Sequence, residues 1–158
     1  MKMSPKFRVI NILITVIAPL SLSIGNLATA KPREYYTQPE NVVLNRPFSE
    51  AVRVGKTLYL SGQIGIAPGD TRLVPGGIIP ETEQIMKNIE KILEYFKLRY
   101  SDIIKCQAML RDIKEWNKFN SIYTSYFSKP FPARSAFGST GLAFAARVEL
   151  ECMAHIPD

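Results

Sequence analysis

Two stretches of this chain repeat apolar residues at helical spacing, and the rest of the pattern is strand-like. From Glu81 to Phe96, Ile85, Ile89, Ile92, Leu93 and Phe96 recur every three or four residues and form one apolar stripe. From Trp116 to Phe127, Trp116, Phe119, Tyr123 and either Tyr126 or Phe127 share one side, and Pro130 and Pro132 close the segment. Around these helices lie a hairpin split at Gly55-Lys56, a strand over Asp102–Arg111, another over Arg134–Ser139 and a last one over Ala146–Ala154. The Gly- and Pro-dense run 67–80 is loop, with a possible short strand near Leu73–Ile79. Two helices cannot cover both faces of a mixed five- to six-stranded sheet. They pack on one face, which predicts an α+β two-layer sandwich.

The other face must then be wet or covered by a partner. In the last strand Val148, Leu150 and Cys152 point one way and Arg147, Glu149 and Glu151 the other, so the helix-free face carries charge. The hairpin disagrees with a fully wet face, because Val52, Leu58 and Tyr59 leave apolar groups on both of its sides. A face partly buried between subunits of a closed symmetric oligomer reconciles the two.

Residues 1–30 read as a secretory signal peptide. Lys2, Lys6 and Arg8 precede an apolar run, Val9 to Gly25, and Ala28 and Ala30 form an A-x-A cleavage pattern. Export to the periplasm or medium follows, with a membrane contact only if the segment is retained. Cleavage removes three basic and no acidic residues, so the net charge falls from +6 to +3 over the remaining 128 residues. That mild excess does not fit a nucleic-acid binder, whose basic residues are more numerous and clustered. Residues 31–45 are polar with two prolines and read as an extended arm before the domain at 46–158. Cys106 and Cys152 lie in apolar strand-like runs, where buried free cysteine is common, and are expected to be unpaired although export permits a bridge. One histidine, His155, and two scattered cysteines give no zinc spacing and no Ser-His-Asp triad.

The candidate chemistry centres on FPARSAFG, Phe131 to Gly138. Arg134 stands among Ala133, Ser135, Ala136 and Gly138, small neighbours that leave room around a guanidinium suited to clamping a carboxylate. If its strand neighbours the last one, Glu149 lies close enough to move a proton beside it.

These stretches resemble the Rid family of imine deaminases, also called YjgF or L-PSP endoribonuclease-like proteins. The resemblance rests on PFSEAVRVGKTLYLSGQIG, GGIIPETEQIMKNI, WNKFNSIYTSYF, PARS and VELECMA, and spans Arg46 to Ala154. It implies a chorismate-mutase-like fold and a homotrimer with an inner barrel of sheets and sites in the clefts between subunits. The implied reaction is hydrolysis of reactive enamine and imine acids to keto acids and ammonia, with no metal or organic cofactor. It assigns Arg134 to the substrate carboxylate, Glu149 to the attacking water, Ser61 and Gly62 to the pocket lining, and Asn120 to a matching asparagine of the second helix. Two positions depart from the family pattern. Ala136 replaces a cysteine, keeping its N–H but losing the thiol, and Arg46-Pro47-Phe48 replaces G-P-Y, losing a hydroxyl and adding a charge near the cleft. Slower deamination or altered substrate preference is expected. The alternatives are a non-catalytic trimer that binds or senses small carboxylates and, from the family's other name only, an endoribonuclease.

Overall fold

In the computed structural model, which describes residues 32–158, six strands form one sheet. They are β1 Glu34–Tyr36, β2 Ala51–Val54, β3 Thr57–Gln63, β4 Ile103–Leu110, β5 Ala133–Gly138 and β6 Val148–His155. The helices are α1 Pro39–Val42, α2 Ile78–Tyr95 and α3 Trp116–Tyr123, the last continued by a tight turn to Tyr126. The expected signal peptide lies outside the described residues. Strand order is β1-β2-β3-β6-β4-β5. The β4–β5 pair is parallel and the other pairs are antiparallel, so the sheet is mixed.

The stripe read from the sequence is the one that buries. Ile85, Met86, Ile89, Ile92 and Leu93 of α2 are all within 1 % of full burial. They pack with Phe119 and Tyr123 of α3 on the sheet face that carries Leu58, Leu60, Ala108 and Leu150. Cutting one of these isoleucines to alanine costs about 2–5 kcal/mol. Helix α2 starts earlier than its stripe suggests. Gly77, at φ +84°, takes the left-handed turn into it, and Pro80 falls in the first turn, where its missing N–H is no loss. The same glycine pair, Gly76 and Gly77, leaves the expected strand near Leu73 as a single bridge between Ile66 and Leu73. The opposite face is helix-free and only partly polar: Tyr59 and Phe137 are nearly half exposed on it beside Glu151.

Two expectations are corrected. The stretch taken as an extended arm contributes β1, which pairs with β2, and α1. Gln38 and Asn41 are buried because the Glu50 carboxylate accepts from the Gln38 N–H (2.7 Å) and Asn41 Nδ2 (2.5 Å). Paired polar groups can go inside, and hydrophobic periodicity is blind to that, although Gln38 Nε2 has no hydrogen-bond partner among the described residues. The cysteines are also not free. Cys106 and Cys152 are directly opposed on β4 and β6, with Cα atoms 4.1 Å apart, and form a disulfide. Alternation buried both correctly. It could not register two strands 46 residues apart in sequence.

Candidate active site

Glu149 is the second residue of β6, on the helix-free side of the strand, between buried Val148 and Leu150. Side chains from both helical segments fix the start of this strand. The Arg147 backbone N–H donates to Glu81 Oε2 of α2 (2.8 Å), and the Arg147 guanidinium pairs with Glu115 (2.6 Å) just before α3. Across from Glu149 the pairing of β3 with β6 slips between Leu60 and Gln63, which places Gly62 against it. A Cβ at Gly62 would overlap the Glu149 carboxylate, so any side chain there would displace that carboxylate from its present place. Burial, and secondly the Glu151 charge, push the Glu149 carboxyl above its ordinary value. It opens on a cleft of about 300 Å³ walled by Phe48, Gly62, Ala143 and Phe144, with Arg46 on its rim side. Phe144 and Ala145 both sit at positive φ (55° and 60°), an uncommon conformation for side-chain-bearing residues that costs about 1 kcal/mol each and is held where the wall turns.

Arg134 lies elsewhere. Strand β5 pairs only with β4, so β4 separates it from β6. Arg134 sits opposite Cys106, which in turn sits opposite Cys152, a row that faces the helices. Glu149 sits opposite Met109, in a row facing the other way. The sequence-based expectation that the two could be sheet neighbours is therefore corrected: one chain does not bring them together. The Arg134 guanidinium instead lies over the rings of Trp116 (4.9 Å), Tyr123 (4.6 Å) and Phe119 (5.5 Å), which succeed one another on one side of α3. Aromatic faces hold a cation in place without occupying its donors. Arg134 Nη1, the Tyr123 hydroxyl and Asn120 Oδ1 are all buried with no hydrogen-bond partner among the described residues. Burial holds the Tyr123 phenol above its ordinary value, so it stays a donor. Unpaired buried donors of this kind cost about 1–3 kcal/mol each.

The sequence-predicted residues thus divide. Phe48, Gly62 and Glu149 share the cleft. Arg134 lies in the aromatic cage, with Ala136 two residues along the same side of β5 and packed on the core, and Asn120 lies on α3, the helix that supplies the rings. Ser61 is committed to the chain itself, its hydroxyl donating to the Ser49 carbonyl (2.7 Å) and its N–H to the Glu50 carbonyl (2.9 Å). Sequence reasoning missed Tyr123 as a polar member of the cage, having taken it only as part of an apolar stripe, and missed Phe144 altogether. The Phe144 conformation leaves no mark in the sequence. Among the described residues, no group of three or more His, Cys, Asp or Glu converges as a metal site.

The chain is similar to known proteins over this whole region. The family model described as Endoribonuclease L-PSP matches residues 40–156. The protein named 2-iminobutanoate/2-iminopropanoate deaminase of Homo sapiens is 40% identical over 108 residues, covering 68% of this chain and 79% of that one. Reactive Intermediate Deaminase A, chloroplastic, of Arabidopsis thaliana is 31% identical over 137 residues, 87% of this chain and 73% of that one. Among solved structures, YyfA of Yersinia pestis, titled a protein of unknown function of the conserved Rid family, is 35% identical with a TM-score of 0.67, covering 70% of this chain and 88% of that one. RidA of the Antarctic bacterium Psychrobacter is 32% identical with the same TM-score, covering 70% and 89%. A family model matched over three quarters of the chain, together with relatives near 40% identity, makes this protein a member of the endoribonuclease L-PSP family, the Rid or YjgF family.

Proposed function

We propose that this chain is a hydrolytic deaminase of small imine and enamine acids, exported, and active as a homotrimer whose sites are shared between copies. One observation carries the reading: Arg134 and Glu149 are each half of a site, on opposite faces of one sheet, in a chain whose relatives are named imine deaminases. A guanidinium with a free donor waits for a carboxylate. A carboxyl raised above its ordinary value, in a cleft, is suited to take and return a proton. Copies arranged in a closed ring would bring the cage of one chain to the cleft of the next and would cover the apolar part of the helix-free face.

The chemistry then follows from the two halves. Arg134 holds the substrate carboxylate. Glu149 takes a proton from a water molecule, whose oxygen adds to the imine carbon. That proton passes to nitrogen; the new hydroxyl then gives up its own proton, also carried to nitrogen, as the C–N bond breaks, so that ammonia leaves and a keto acid remains. Imine and water become ketone and ammonia with no change of oxidation state. Export is supported by the N-terminal pattern and by the disulfide, which persists in oxidising compartments. The test supplies an amino-acid-derived imine and follows keto acid release. No acceleration over the spontaneous rate, or full activity in Arg134→Ala, overturns the reading.

A second reading, a trimer that binds or senses small carboxylates without turnover, is favoured by Ala136 and Phe48, which lack the thiol and hydroxyl of the family pattern. Calorimetry with keto acids separates it: tight binding without turnover is its signature. A nucleic-acid partner is not proposed, given the +3 charge expected after signal removal.

A further inference from the structure

We infer that Arg46 selects for a second carboxylate, so that the preferred substrate is an imino diacid rather than a simple aliphatic imino acid. The inference deepens the deaminase reading and rests on it. Among the described residues, Arg46 is the only cation lining the cleft that holds Glu149. Its guanidinium is held but not consumed. Nη1 stands 4.0 Å from Glu50 Oε1, at the limit of an ion pair. The Glu50 carboxylate is already engaged, accepting from the Gln38 N–H and from Asn41 Nδ2. Glu50 is 2 % exposed and meets the guanidinium at Nη1, so the other guanidinium donors remain for a ligand.

The rest of the cleft suits a short diacid. Phe48 and Phe144 give it apolar walls for a few methylene groups, and about 300 Å³ is the low end of small-molecule sites. In the shared site the carboxylate next to the imine carbon goes to Arg134 of a neighbouring copy, which leaves Arg46 facing the substrate's other end. A monocarboxylic imine would instead leave the remaining Arg46 donors without a ligand, with only the 4.0 Å contact to the already engaged Glu50. The reaction is unchanged: water adds, ammonia leaves, and a keto diacid results.

The experiment generates imines from L-glutamate and from L-alanine with an amino-acid oxidase and catalase, and reads keto acid release by the full chain, by Arg46→Met and by Arg46→Lys. The expected kcat/KM ratio of diacid to monoacid is about ten or more, falls about ten-fold in Arg46→Met and returns partly in Arg46→Lys, the effect of a single charge-assisted hydrogen bond. A ratio untouched by Arg46→Met overturns the inference, while activity lost in Arg134→Ala in the same assay keeps the deaminase reading standing. If neither imine is accelerated, the deaminase reading fails and calorimetry decides this one. Tighter binding of 2-oxoglutarate than of 2-oxobutanoate, lost in Arg46→Met, supports it, and equal affinities overturn it.

Discussion

The aromatic cage around Arg134 and the cleft around Glu149 strand their charged residues in opposite ways. In the cage, the cation rests on three rings, and its Nη1 and the Tyr123 hydroxyl have no partners among the described residues. In the cleft, the acid is pressed against Gly62, with burial and a like charge making its ionised form less favourable. Each arrangement is costly alone, and each supplies what the other lacks. A single chain keeps them on opposite sides of the sheet, with β4 between their strands. In the proposed assembly a second copy brings the two halves together, which would offset both costs.

The largest expected effects come from removing each half. Glu149→Gln should lower kcat by about 10²–10⁴ with a smaller effect on KM, since a proton-transfer group acts mainly in the transition state. Arg134→Ala should lower kcat/KM by about 10²–10³ and raise KM, since its role is to hold the carboxylate. Steady-state kinetics on both variants checks this. The same kinetic signature from both would break the proposed division of labour. Next comes the disulfide, which lies in the same strand row as Arg134. Closing a loop of this length contributes about 4 kcal/mol, so Cys106→Ala/Cys152→Ala should lower the denaturation midpoint by a corresponding amount in urea melts. An unchanged midpoint contradicts a cross-link that restrains the unfolded chain.

Smaller changes sharpen the cleft side. Gly62→Ala should push the Glu149 carboxylate aside and cost roughly ten-fold or more in kcat, while keto acid affinity at the Arg134 side falls less. Comparing kcat with the calorimetric affinity measures that asymmetry. Smallest is Glu151→Gln. Removing that negative charge favours ionised Glu149, so the acid limb of the pH–rate profile should move to lower pH. A limb that stays put, or moves up, means that another group titrates there.

Much of the scaffold was legible because it rests on periodicity. The α2 stripe, the alternation of β6 and the choice of one helix-covered face all follow from where apolar residues recur. The buried polar network of Glu50, Gln38 and Asn41 was not legible, because its stability comes from pairing rather than apolar area. The disulfide was missed for a related reason: alternation gives a residue's side of a strand but not the partner across from it. At the site, Arg134 and Glu149 stood out by residue type, small neighbours and resemblance. Their separation did not, since the sequence contains no term for β4 threading between β5 and β6. Arg46 was visible as an added charge, and its purpose became arguable only once Glu50 was seen to be already engaged.

The shared site is tested most directly by mixing two dead halves. Arg134→Ala and Glu149→Gln chains are co-expressed at equal levels, mixed assemblies are confirmed by mass, and deaminase activity is measured. If the arginine of one copy serves the glutamate of the next, each mixed assembly regains intact sites, and activity returns to about a quarter of wild type, the chance that a site draws each good residue from the right neighbour. Mixed assemblies that stay as inactive as either parent would contradict the account.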